Sequence, residues 1–255
     1  MAKPISVQLY SVRKAIADDP WGTLETIAAM GYVGVEPCGV IGGDIEEMAR
    51  RINDLGLTVS AVQTGTPVGD DANRLMDEAE ALGTTHIVCP SHDVANWQDA
   101  DGIEKTAERF EEAIARTAER NMTFGYHNHE FELAVIDGTP GLLKLAERLA
   151  ELTFTVDTYW VNVGGQDPVE VVTALGAQAN VLHIKDGPLV KGEPMVAAGA
   201  GMMDFPPIVE AATGAEWLVV ELDTCATDML AAVEQSIKYL VDTGLGRAIW
   251  SKGSP

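Results

Sequence analysis

The sequence predicts an α/β protein of the TIM-barrel class, a (β/α)8 fold whose eight parallel strands close into a ring within a single domain spanning residues 1–255. Three observations predict it. Apolar runs of strand length alternate strictly with stretches of helical periodicity, which calls for a parallel sheet with crossover helices. Eight such pairs occupy about 240 residues, the length of a closed barrel rather than of a doubly wound sheet. No glycine-rich dinucleotide or phosphate loop follows the first apolar run, where Gln8 and Tyr10 stand instead.

Taken in order, residues 5–10 form a buried-strand pattern, and 20–30 carry apolar positions at helical spacing closed by Gly31. The plan then repeats: strand 32–36, helix 44–55 closed by Gly56, strand 57–62, helix 71–82 closed by Gly83, and strand 86–89. Residues 103–120 make the longest helix, and the strand from Thr123 follows. A helix over 140–149 leads to the strand ending at Asp157. Asp167-Pro168 is a helix start, with aspartate as cap and proline in the first turn. Strand 181–185, a long loop to Asp204, a short helix from Phe205, strand 217–221 and helix 227–240 complete the count.

Composition narrows the partners. With 17 Lys and Arg against 39 Asp and Glu, the formal charge is −22. A field of that sign repels phosphate backbones and anionic lipid, so neither nucleic acid nor a membrane is expected as partner. The acidity is spread over helical segments, as at Glu46, Glu47, Glu111 and Glu112, and reads as a solvated outer surface. Cys38, Cys89 and Cys225 are far apart with no paired spacing, which suggests neither a disulfide framework nor a zinc ribbon. No signal-type segment or membrane span is visible, and a cytoplasmic location is expected. The apolar 248–250 stretch, ending at Trp250, is a candidate contact with a neighbouring copy or with the barrel base.

In a barrel of this class the active site lies at the C-terminal ends of the strands. Those ends deliver Gln8 and Tyr10, Glu36, Gln63, Cys89, His127 with His129, Asp157, His183 with Lys185, and Glu221 with Asp223. Stability alone does not require such a succession, because an unpaired charge at the rim of a dry core costs several kcal/mol. Two carboxylates and two imidazoles on four consecutive strands suggest a divalent metal site, and mixed nitrogen and oxygen donors suit Mn²⁺, Co²⁺ or Zn²⁺ better than Ca²⁺; Mg²⁺ is a further candidate. Lys185 either pairs with Asp186 at a turn or contacts substrate. Trp160 is either a packing residue at the barrel lip or a stacking face for a sugar. Gly164-Gly165 and Gly199-Ala200-Gly201 are turn glycines or, alternatively, a phosphate cradle.

Five segments together carry a family resemblance: residues 7–13, 125–132 (Gly-Tyr-His-Asn-His-Glu-Phe-Glu), 156–160, 182–186 (Leu-His-Ile-Lys-Asp) and 220–223. Over nearly the whole chain they resemble the sugar phosphate isomerase/epimerase proteins of the xylose-isomerase-like barrel superfamily. The resemblance implies a metal held by Glu, Asp, His and Glu from the fifth to eighth barrel strands, with Asp157, His183 and Glu221 as three of the ligands. At the fourth place this chain carries His127-Asn128-His129, similar to the His-x-His of inosose dehydratase-like members. His127 then takes the metal position and serves as the second base, or Glu132 swings in from the loop to supply the second carboxylate. Trp160 stands where relatives often place a histidine that contacts substrate.

The resulting expectation is a metal-dependent isomerase or epimerase of carbohydrate metabolism, acting on a small sugar or keto-sugar by proton abstraction next to a carbonyl. Glu221, His127 and Glu132 are its candidate catalytic groups. Gln8, Tyr10, Glu36, Gln63, His129, Trp160 and Lys185 are its candidate substrate contacts, and His127, Asp157, His183 and Glu221 its metal ligands. A dehydratase on a keto-polyol would use the same site, and a sugar-binding barrel without turnover is a third reading. A homo-oligomer is compatible with all three.

Overall fold

The computed structural model describes residues 2–249 and shows a barrel ring of parallel strands wrapped by helices. The strands are β1 (Lys3–Gln8), β2 (Gly34–Glu36), β3 (Thr58–Val59), β4 (Val62–Gln63), β5 (His86–Cys89), β6 (Thr123–His127), β7 (Val135–Ile136), β8 (Thr139–Pro140), β9 (Thr153–Asp157), β10 (Ala179–Ile184), β11 (Trp217–Val220) and β12 (Gly246–Arg247). Hydrogen-bonded neighbours run β3-β2-β1-β11-β10-β9-β6-β5-β4, and β12 adds to the outer end of β1. The two ends of this order, β3 and β4, are successive halves of one stretch of chain, so the ring closes through Ser60 and Ala61. The sequence predicts one strand there; the chain bends because Ser60 N–H bonds back to Val35 O at 3.0 Å while Thr64 N–H bonds forward to Val88 O at 2.9 Å. β7 and β8 form a small antiparallel hairpin outside the ring.

The helices are α1 (Arg13–Asp18), α2 (Pro20–Ala29), α3 (Ile45–Asp54), α4 (Ala72–Ala81), α5 (Ala100–Ala118), α6 (Gly141–Arg148), α7 (Thr158–Val163), α8 (Pro168–Leu175), α9 (Phe205–Ala211) and α10 (Met229–Asp242). Asp19, Asp44, Asp99, Asp167 and Asp228 each accept an N–H from the first turn of the helix that follows, answering donors that would otherwise lack partners. Gly31, Gly56 and Gly83 take positive φ where α2, α3 and α4 stop, as the sequence predicts. Apolar helix faces cover the outer side of the sheet, with Leu24, Ile27, Phe110, Leu145, Val172 and Ile237 fully buried. α1 and α7 are not expected from the sequence, and α7 matters most, because it starts on Asp157. No helix among the described residues is long and apolar enough to cross a membrane. Trp250 lies outside the described residues.

Candidate metal centre

Side chains alternate along each strand, so on β10 Leu182 and Ile184 face the helices while His183 and Lys185 turn inward. Pairing of Asp157 with His183 and of His183 with Val219 brings the ends of β9, β10 and β11 level, and β6 lies on the far side of β9. Four adjacent strands thus present His127, Asp157, His183 and Glu221 to one point. Each offers one donor atom, all within 4.8 Å of one another, and all four residues are buried.

Each donor is aimed by a bond made on its other side. His127 Nδ1 stands 3.2 Å from Pro90 O; a carbonyl only accepts, so Nδ1 carries the proton and the Nε2 lone pair faces the centre. Asp157 Oδ1 accepts the Trp160 N–H at 2.9 Å, capping α7 and leaving Oδ2 for the centre. Asn128 grips the Asp157 backbone, its Oδ1 accepting the N–H at 3.0 Å and its Nδ2 donating to the carbonyl at 3.3 Å. His183 Nε2 donates to Glu36 Oε1 at 3.0 Å, while its Nδ1 lies 2.6 Å from Glu221 Oε2. The four atoms aimed inward, His127 Nε2, Asp157 Oδ2, His183 Nδ1 and Glu221 Oε2, are also buried without a hydrogen-bond partner. Four such atoms converging on one point, two imidazole nitrogens and two carboxylate oxygens, fit a bound cation.

Lys185 is the cation of the site. Its Nζ lies 2.9 Å from Asp157 Oδ2, 3.0 Å from Glu221 Oε2 and 3.1 Å from Asp223 Oδ2. Only the contacts to Asp223 have hydrogen-bond directions, so the two inward oxygens are approached by the ammonium yet left unbonded. Burial alone would lower the Lys185 pKa, but the three carboxylates raise it, keeping the ammonium charged. Burial likewise opposes ionisation of Glu221, and Lys185 with His183 overrides it, holding this carboxyl well below its usual range. Asp157 is lowered in the same way, chiefly by Lys185, against its burial. Burial disfavours charge on His183 too, yet Glu36 and Glu221 raise its pKa to about 10; a metal at Nδ1 would displace that proton. Three carboxylates surround Lys185 and a fourth, Glu36, meets His183, so displacement of the His183 proton leaves room in charge for a divalent ion.

The sequence profile of the xylose isomerase-like TIM barrel family matches residues 24–243. The chain belongs to that family. Its fold is similar to that of a sugar phosphate isomerase/epimerase from Parabacteroides distasonis, at 23% identity and TM-score 0.81, with 97% of this chain and 96% of the other covered. An L-ribulose 3-epimerase is similar at 18% identity and TM-score 0.71, covering 96% and 95%. The probable 3-DHS dehydratase AsbF of Bacillus anthracis, involved in petrobactin synthesis, is similar at 15% identity and TM-score 0.73, covering 93% and 98%. No curated protein matches the sequence.

Within this xylose isomerase-like barrel, several predicted contacts stand elsewhere than expected. Glu132 is not in the cluster: Tyr126 OH donates to its Oε1 at 2.5 Å and the His129 N–H to its Oε2 at 2.9 Å, and both oxygens are spent in the wall. The fourth donor is therefore His127. Gln8 and Glu36 are fully buried and bonded to each other at 2.7 Å, and Glu36 Oε1 also meets His183 Nε2, behind the cluster. Lys185 does not pair with Asp186, whose carboxylate instead accepts the N–H groups of Gly187, Gly199, Gly201 and Met203 at 2.8 to 3.0 Å. Those bonds also spend the amides of the 199–201 loop, leaving it a turn rather than a phosphate cradle. Gly164 and Gly165 close α7. Tyr10 stands at the rim, half exposed beneath the Arg13 guanidinium. Gln63 Nε2 and Trp160 Nε1 are buried donors without partners, and Trp160 lies near His129 and Lys185. Asn128 was not singled out as a site residue from sequence, although it lies between two that were, and Asp223 was named at its strand end without a role.

Proposed function

We propose that this barrel is a divalent-metal-dependent enzyme that removes a proton beside the carbonyl of a small, uncharged keto-sugar or polyol, as an isomerase or epimerase. The convergence of four buried nitrogen and oxygen donors on one point is the observation that carries this reading. His127, Asp157, His183 and Glu221 would hold the ion, and their nitrogen and oxygen mixture suits Mn²⁺, Co²⁺ or Zn²⁺, with Mg²⁺ as a further candidate. When bound, such an ion polarises a substrate carbonyl as a Lewis acid. Glu221, ionised by its surroundings, is the group that takes the proton. Lys185, fixed among Asp157, Glu221 and Asp223, faces the negative charge that develops on the substrate oxygens. Trp160, with His129 beside it, offers a face on which a sugar ring can stack, and Gln63 and Trp160 offer free donors to hydroxyls.

An uncharged substrate is favoured because the cations near the mouth are engaged. Lys185 has its three carboxylates, Lys191 pairs with Glu130, and Arg13 donates to the carbonyls of Tyr10 and Asp223. The same site supports a dehydratase as second reading, on the observation that an imidazole, His127, fills the fourth position. In that reading His127 leaves the ion to the other three donors and its Nε2 carries the proton for the departing hydroxyl, an imidazole being a better donor than a carboxyl at neutral pH.

Deuterium exchange separates the two. Protein loaded with Mn²⁺ or Co²⁺ is expected to carry solvent deuterium into an unphosphorylated ketose next to its carbonyl, and Glu221→Gln should lower that rate by at least about 10²-fold. Release of water from a keto-polyol without exchange into any ketose would favour the dehydratase. In that case His127→Glu should abolish elimination, because a carboxyl of ordinary pKa near 4.3 is mostly ionised at neutral pH. Neither exchange nor water release would sink both.

A further inference from the structure

Glu36 closes β2, which is three places round the ring from β10, with β1 and β11 between them. Its side chain nevertheless crosses the barrel interior to His183, and Oε1 takes the His183 Nε2–H at 3.0 Å. The same oxygen accepts the Gln8 Nε2–H at 2.7 Å, and Gln8 Oε1 in turn accepts the Tyr10 backbone N–H at 3.0 Å. All three side chains, Gln8, Glu36 and His183, have no exposed surface. The chain of bonds therefore begins at a fixed backbone N–H and ends at an atom facing the cluster.

We propose that Glu36 is a positioning residue for the metal centre, holding His183 with its proton on Nε2 and its Nδ1 lone pair on the ion, with Gln8 holding Glu36 in turn. This rests on the metal reading given above. A purely space-filling role does not explain a carboxylate here. An apolar side chain would fill a barrel layer at lower cost than a buried charge, whereas a carboxylate behind a ligating imidazole fixes its ring and raises its basicity. The other imidazole provides the contrast, because His127 has only the neutral Pro90 carbonyl behind it. Of the two nitrogen donors, His183 is therefore the one whose hold on the ion depends on a distant strand.

Competition against a chromophoric chelator with Co²⁺ and Zn²⁺, on the full chain, tests the proposal. Glu36→Gln keeps the shape and removes the charge, and is expected to weaken metal binding by about 10- to 100-fold. In the Zn²⁺-loaded protein the His183 Nε2–H should give a slowly exchanging downfield proton resonance that moves upfield in Glu36→Gln, a signal that a merely structural role would leave in place. Gln8→Leu, which removes only the outer donor, should weaken binding in the same direction by a smaller factor, and serves as the variant to measure if Glu36→Gln does not fold. Wild-type protein that binds the ions tightly, with affinity unchanged in these variants, overturns the role of Glu36 alone. Wild-type protein that takes up neither ion overturns the metal reading and this inference with it.

Discussion

Glu132 is fully enclosed yet touches no cation. Burial raises its pKa to about 8, although the hydrogen bonds from Tyr126 and from backbone N–H groups favour the carboxylate. The folded protein thus keeps the proton up to about pH 8, while the unfolded chain releases it near its ordinary value of 4.5. Between those limits the native state binds more protons, so stability falls as pH rises, with a limiting slope of about 1.4 kcal/mol per pH unit for one proton. Below the lower limit the contribution is fully present. Glu132→Gln mimics the protonated carboxyl, its oxygen accepting the His129 N–H and its amide donating to the Tyr126 oxygen once that hydroxyl turns from the direction it takes toward Oε1. The variant should match wild type in urea unfolding at pH 5 and exceed it at pH 9. An equal difference at both values would mean that Glu132 is ionised in the folded protein. The same geometry explains why this residue misleads a reader of the sequence: a carboxylate five positions beyond a ligating histidine looks available, and only the Tyr126 hydroxyl shows that it is not.

Among the elements, the loop from Asp186 to Asp204 depends most on one side chain. Asp186 is buried and accepts four backbone N–H groups, from Gly187, Gly199, Gly201 and Met203. Asp186→Asn keeps the volume but turns one acceptor into a donor facing N–H groups, and hydrogen bonds to a charged group are worth about 1.5 to 3 kcal/mol each. A loss of at least about 2 kcal/mol is expected, with faster amide hydrogen exchange across residues 187–203. Unchanged exchange there would show that the loop is held by other means. Features like the aspartate caps and glycine stops are legible in the sequence because they act within one turn of chain. The break between β3 and β4 is not, because it arises from hydrogen bonds to different neighbours on either side of Ser60. Nor is α7, whose residues include Thr158, Tyr159, Trp160, Val161 and Val163, β-branched and aromatic types that favour strands. It forms because Asp157 caps it and its first four residues are buried against the barrel. The ligand strands were legible through their polar ends. The bonding of Gln8 to Glu36 and of Glu36 to His183 across the barrel interior was not, since strand order alone does not say which neighbour a side chain reaches.

For the molecule as a whole, the cluster concentrates like charge where solvent cannot screen it. Asp157, Glu221 and Asp223 share one ammonium, that of Lys185, and Glu36 meets His183, inside a protein of net charge −22. A divalent ion relieves this repulsion only in the folded state, because the four donors meet nowhere else. Binding to the native state alone stabilises by about 2.7 kcal/mol at a hundred times the dissociation constant, and for a chain of this size each kcal/mol moves the melting midpoint by about 2 to 4 °C. Saturating Mn²⁺ or Co²⁺ should therefore raise the midpoint by roughly 5 to 10 °C over chelator-treated protein. An acidic surface complicates the comparison, since any divalent ion screens it. Ca²⁺ at the same concentration is the control, because it screens equally but accepts imidazole ligands poorly. The informative quantity is the excess of the Mn²⁺ or Co²⁺ shift over the Ca²⁺ shift. That excess should vanish in the His127→Ala, His183→Ala double variant, which leaves the surface charge at neutral pH nearly untouched. Equal shifts for all three ions in wild-type protein would assign the stabilisation to the surface and remove the cluster from consideration as a metal centre.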